Sequence, residues 1–247
     1  MGIIDFLSSF ELMRPLSFQQ HPDSFAATRV TLYERLMEVV KSLHRQHEQS
    51  QDRLQNRSQS PIDSAIFIAA HFPDEFFRLQ EELDKQKIEY EIITRPLDSQ
   101  WFLDHSVGDS HIIYLALAEF LTETTFGENV AFGTALDLIV VDRHPEPFRD
   151  ALLVQFARDF PAITRMGYFM ALDDCVLNSV VNDTTLLVLD QMGIDDRGLI
   201  SSGIISKRIK KVLAREQKQR TVEGTPADSA EDWFEINVAS PDGPYFK

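Results

Sequence analysis

The sequence predicts an α/β fold: a mostly parallel sheet sandwiched by helices, with an N-terminal helix and a C-terminal helical extension. Three observations lead there. Short unbroken apolar runs at 65–70 (AIFIAA), 111–118 (HIIYLALA) and 136–141 (LDLIVV) have the character of strands buried on both faces. Stretches of helical periodicity separate them, the spacing expected of a parallel sheet with helical crossovers. The chain has 247 residues and 43% hydrophobic content, enough to bury one sizeable core.

The elements follow in order. Residues 1–24 form an N-terminal segment in which Ile3, Phe6, Leu7 and Phe10 could share one side of a short helix over 3–13. Ser24 reads as a helix cap. Beyond it Val30, Tyr33, Met37, Val40 and Leu43 recur at helical spacing, predicting a long helix over 25–50. That helix runs out into a Gln-, Ser- and Arg-rich stretch ending near Pro61. His44 and His47 lie one turn apart, but no third ligand joins them, so they read as a solvated helix end rather than a metal site. After the strand at 65–70, a helix over 73–87 presents Phe76, Phe77, Leu79 and Leu83.

A strand at 88–94, a short helix at 98–105, the strands at 111–118 and 136–141, and a strand at 167–172 complete the sheet. The segments 182–196 and 199–220 read as helical, with Ile200, Ile204, Ile205, Ile209, Val212 and Leu213 facing one way. Basic residues gather toward the end of the second, where they complement the helix dipole. Residues 221–232 read as a flexible linker. The aromatic patch at 233–238 (WFEINV) reads as an added edge strand or partner contact, or as a tail folded on its own domain. The domain reading is therefore 1–24, 25–182, 183–220 and 221–247.

Composition excludes several classes. Net charge is −15, which opposes a nucleic-acid track and a general affinity for anionic lipid. One cysteine, Cys175, rules out an internal disulfide framework and reads as a buried thiol. No run approaches the roughly 18 apolar residues of a membrane span. The first residues lack the basic region of a secretory signal, and Phe6 stands where a myristoylation motif needs Ser or Thr. A cytoplasmic protein without stable membrane insertion is expected.

The most informative stretch is 142–177. It opens on Asp142-Arg143-His144 directly after an apolar strand and closes a second strand on Leu172-Asp173-Asp174. Gly193, Asp195, Asp196, Ile200, Ile205, Ser206, Lys207 and Ile209 continue the pattern downstream. Over residues 28–217 this frame resembles the second RecA-like nucleotide-binding domain of the preprotein translocase motor SecA. The resemblance implies a RecA-like, helicase C-terminal-type domain over 25–182, and a link to protein translocation.

The chemistry of that family is missing. A motor of this kind needs a phosphate-cradling loop, G-x-x-x-x-G-K-[ST]. The nearest string here, 127–134 (GENVAFGT), has no Lys and reads as a turn. Where the family places arginines against the transferring phosphoryl group, this chain has Val154, Phe156 and Asp159. Arg158 is one residue out of place, a turn of about 100° on a helix. The backbone glycines are replaced by Phe160, Pro161, Ala162 and Ile163. The expectation is a non-catalytic module, using no cofactor and no metal, that binds a protein partner. Leu152, Phe156 and Phe160 on one helix, with Trp233 and Phe234 in the tail, are the candidate contacts; the helix residues read equally as ordinary packing on the sheet. Two alternatives stand beside this. One is a pseudo-ATPase that senses adenine nucleotide across a partner. The other is an enzyme with a new site at the strand ends, built from Asp142, His144 and Asp174.

Overall fold

The computed structural model describes residues 18–55, 64–101, 113–126, 135–174, 177, 198–217 and 224–238. Its elements are β1 (Phe18–Gln20), β2 (Ser24–Ala26), α1 (Arg29–Gln55), β3 (Ser64–Ala70), α2 (Pro73–Lys85), β4 (Glu91–Ile93) and β5 (Ile113–Leu117). There follow α3 (Ala118–Thr122), β6 (Ala135–Val141), α4 (Pro147–Asp159), β7 (Ile163–Ala171), β8 (Ile200–Ser201), α5 (Gly203–Gln217) and α6 (Ala230–Val238). The strands form one sheet in the order β4-β5-β3-β6-β7-β2-β8, and β1 also pairs with β7. Every pairing is parallel except that of β8 with β2. The α/β expectation of a mostly parallel sheet flanked by helices holds.

Both faces are covered because β3 and β6 are apolar at nearly every position, Ser64 and Asp137 being the exceptions. In β3, Ala65, Phe67 and Ala69 join one core cluster, and Ile66, Ile68 and Ala70 join the other. The alternation continues in register across β6, with Leu136, Leu138 and Val140 on one side and Ile139 and Val141 on the other. Helices α1 and α2 cover the second face through Leu32, Leu36, Val40, Leu79 and Leu83. The first face carries α3, α4, α5 and α6 through Leu121, Leu153, Phe156, Ile209 and Trp233.

This division follows from handedness. The steps β2 to β3 and β3 to β4 run toward the β4 edge, and their helices α1 and α2 lie on one face. The steps β5 to β6 and β6 to β7 run toward the other edge, and their helices α3 and α4 lie on the opposite face. A single right-handed crossover rule requires this opposition.

Several expectations need correction. Ser24 does not cap a helix; it lies in β2, and Thr28 caps α1 by accepting the Thr31 N–H at 3.2 Å. The long helix reaches Gln55 rather than ending near 50. His47 is not solvated. It is buried, with Nε2 2.8 Å from Asp137 Oδ2, and Arg165 also donates to that carboxylate at 2.6 Å. The strand expected at 88–94 is confined to β4, and that expected at 167–172 extends back to Ile163. The patch at 233–238 is no strand: it is most of α6, capped by Ser229, whose Oγ accepts the Asp232 N–H at 3.0 Å. Acidic side chains in its first turn add to the cap. Residues 224–232, expected to be a free linker, are bonded to the domain through Gly224 and Asp228. The segments 3–13, 127–134 and 182–196, and Cys175, lie outside the described residues.

Candidate functional site

The chain leaves β3 toward one edge and β6 toward the other, so these neighbouring strands flank the point where the sheet order reverses. In open α/β sheets the crevice beyond the carboxyl ends at such a point is the natural binding site. Here it is built from the turn after β3 (His71, Phe72), the turn after β6 (Asp142 to Glu146) and the starts of α2 and α4. Each of these helices opens on a Pro in its first turn and has no side-chain cap.

Asp142 makes the turn possible. Its backbone lies in the left-handed region at φ 60°, while its N–H still donates to the Phe169 carbonyl at 2.9 Å. The ladder thus runs one residue past β6 before the chain swings away. Such a conformation in a non-glycine residue costs about 1 kcal/mol, least for Asp and Asn.

Two buried charge clusters stand on either side of this turn. In the first, Arg29 faces three carboxylates: Glu75 at 2.6 Å, Asp142 and Asp174. Tyr33 donates to the far oxygen of Glu75 at 2.7 Å. Burial, then the like charge of Asp174, pushes the Asp142 carboxyl well above the usual carboxylate range despite Arg29. Burial also raises Glu75, with Arg29 opposing. The Asp142 Oδ1 is buried with no hydrogen-bond partner.

In the second cluster Arg143 grips Asp23 with two bonds of 2.7 and 3.0 Å and Asp150 with one of 2.6 Å. Its guanidinium lies 3.8 Å from the centre of the Tyr168 ring. Asp150 also accepts the His144 backbone N–H at 3.2 Å and lies 3.0 Å from His71 Nε2. Burial alone would raise the Asp150 carboxyl; Arg143 and His71 outweigh it and hold it below its ordinary value.

His144 sits between the two strand ends. Its Nδ1 accepts the Glu146 N–H at 2.9 Å, so the neutral ring carries its proton on Nε2. The ring stacks on Phe72 at 5.1 Å and meets His71 and Trp233 edge-on at 5.3 and 5.7 Å. Trp233 comes from α6, which closes the crevice from above. Gly224 lets the indole in: a Cβ there would lie 2.7 Å from the ring. Gly224 N donates to Glu146 at 2.8 Å, Asp74 N to the Asp228 carbonyl at 3.0 Å, and Asn237 clasps both polar groups of the Thr225 backbone.

Between α6 and the ends of β3, β5 and β6 an open cavity of about 520 Å³ remains. His71, Phe72, His144 and Trp233 line it, with Arg149, whose Nε lies 3.3 Å from Glu146. Exposed Glu119, Asp228, Asp232 and Glu235 stand among its lining residues, as do Leu152 and Ile236, 45% and 56% exposed.

The residues singled out from sequence separate into groups. Asp142 and Asp174 come together on Arg29; Arg143 anchors the second cluster; His144 enters the crevice. The contact patch on α4 is a correction: Phe156 and Phe160 are 4% and 3% exposed and pack on Phe67 and Phe126, leaving only Leu152 at the surface. Val154 is half-buried against the same cluster. Trp233 and Phe234 are a second correction, buried in their own domain rather than offered to a partner. Arg158 and Asp159 are exposed; the first lies 5.5 Å from the Phe18 ring, and the second accepts from Gln155 at 2.6 Å.

Arg29, Asp23, Glu75, Asp150 and His71 were not anticipated. Glu75 within a Phe-rich helix side and Asp150 seven residues after Arg143 were the available signals.

No family model matches this chain, and no curated protein matches it. Among solved structures it is similar to a crystal structure of the C-terminal part of the Fun30 ATPase domain, at 12% identity and a TM-score of 0.33. The match covers 64% of this chain and 49% of that one, so it spans about half of the solved structure's length. Likeness at that level bears on neither family nor activity.

Proposed function

We propose that this chain is a non-catalytic binding module of RecA-like ancestry, and that the crevice beyond β3, β5 and β6 is where it binds a protein partner. One observation carries the reading. The arginines at the strand ends are committed to carboxylates of the chain itself, while the open cavity beside them presents mostly apolar and acidic side chains, with its arginine, Arg149, 3.3 Å from Glu146. A triphosphate needs cations aimed at it and backbone amides around it. Arg29 faces three carboxylates and Arg143 two, and the exposed acids among the lining residues repel an anion. The positions that would hold phosphate-facing arginines in a translocase-like motor are core (Phe156), half-buried (Val154) or acidic (Asp159). The motif likeness to SecA favours a protein as the partner class.

The test is phosphate release from ATP–Mg²⁺ by the pure chain, together with its melting temperature in excess nucleotide. No turnover and an unmoved melting temperature are expected, because only a ligand that binds the folded state shifts the transition. Turnover that falls in Arg149→Ala or Arg158→Ala would overturn the reading.

A further inference from the structure

The crevice has a chemical complement elsewhere on the same chain. Helix α5 buries Ile205, Ile209 and Leu213 against the sheet. Its other side carries Ile204, Lys207, Arg208 and Lys211, all exposed, at the i, i+3, i+4 and i+7 positions of one helical stripe. Ile204 is 83% exposed, the most exposed of the large hydrophobic side chains among the described residues. A basic stripe with one bare isoleucine is unusual on a chain of net charge −15. The crevice offers the opposite: acidic Glu119, Asp228, Asp232 and Glu235 with apolar Leu152 and Ile236.

Resting on the crevice as the binding site, we propose that its partner is a second copy of this chain, docked through the α5 stripe. Ile204 meets Leu152 and Ile236, and Lys207, Arg208 and Lys211 face the carboxylates. Helix-in-groove docking with anchors at this spacing is a recurrent mode of recognition. Opposite charges fix the register, and the apolar contact supplies affinity. Repulsion between two acidic bodies opposes the approach, but at physiological salt it is screened beyond about 8 Å, so facing groups decide. Reciprocal docking, with each stripe in the other copy's crevice, closes a dimer; one-way docking propagates.

Sedimentation velocity of the full chain, from micromolar to millimolar concentration at low and high salt, provides the test. Concentration-dependent association that weakens with salt is expected. Glu119→Lys/Asp228→Lys/Glu235→Lys reverses the crevice, and Lys207→Glu/Lys211→Glu reverses the stripe; all five sites are exposed, and circular dichroism checks each fold. Each variant alone should associate at least about tenfold more weakly, since like charges then face each other. A one-to-one mixture of the two should associate again, because each reversed surface meets its complement. A chain that stays monomeric at millimolar concentration and low salt overturns the inference, as does association indifferent to both variants or not restored by mixing. The crevice reading has its own readout: a fragment library screened by the imidazole NMR signals of His71 and His144. Fragment binding in a strictly monomeric chain defeats the self-docking inference and leaves the crevice as the site; no fragment binding and no association defeats both.

Discussion

Asp142 holds three unfavourable conditions at once: left-handed backbone, burial and an oxygen without a partner. Its folded pKa is raised, mainly by burial and Asp174. A carboxyl raised in this way contributes stability below its unfolded pKa and loses it as pH climbs through the folded value. Asp142→Asn keeps the shape, suits the left-handed backbone and removes the titration. The variant is expected to gain on the order of 1 kcal/mol at pH 8 and nothing near pH 4. Urea unfolding at both values checks this; an equal effect at the two would contradict it. Asp150 behaves oppositely. Its lowered pKa means that its contribution is present above the unfolded pKa and lost as pH falls through the folded one. Phe156→Asp tests the packing on α4. It places a carboxylate among Phe67, Phe126 and Phe160 and is expected to abolish cooperative unfolding, because large-to-small core changes alone cost about 3–5 kcal/mol before any charge is buried. A folded variant of unchanged melting temperature would show the site to be surface.

At the scale of elements, α6 decides how open the crevice is. Its hold depends on an indole seated where Gly224 has no side chain. In Gly224→Ala the new Cβ meets the indole ring of Trp233, which is 1% exposed and packed in the core. The expected outcome is an undocked α6, with Trp233 emission shifted to the red in a Trp101→Phe background and proteolysis quickened around 224–230. The loss should be roughly 2 kcal/mol, the burial of one large side chain. Unchanged emission would mean that the hydrogen bonds of Gly224, Asp228 and Asn237 hold the helix without the ring. The helix itself was misread because Trp, Phe, Ile and Val favour strands when taken singly, whereas Ser229 and the acids after it start a helix.

For the whole molecule, β3, β5 and β6 were legible because a strand buried on both faces is written as a nearly unbroken apolar run. The edge was not: β1, β2 and β8 span two or three residues each, too few for any periodicity. The site divided along the same line. Asp142, Arg143 and His144 were visible because they follow a strand directly. Their distant partners were invisible, Asp23 lying 120 residues from Arg143 and Arg29 113 from Asp142. Side chains that act together need share no neighbourhood in the chain, so no local pattern marks them.

The pairing of Ser24 with Phe169 has a bearing on how the chain is made. An emerging polypeptide exposes the first of these residues on leaving the ribosome and the second only after 145 more peptide bonds, roughly 7–30 s at usual elongation rates. Until then the opening strand has no neighbour to zip against, and the outer edge of the nascent sheet waits, bare, for its own far end.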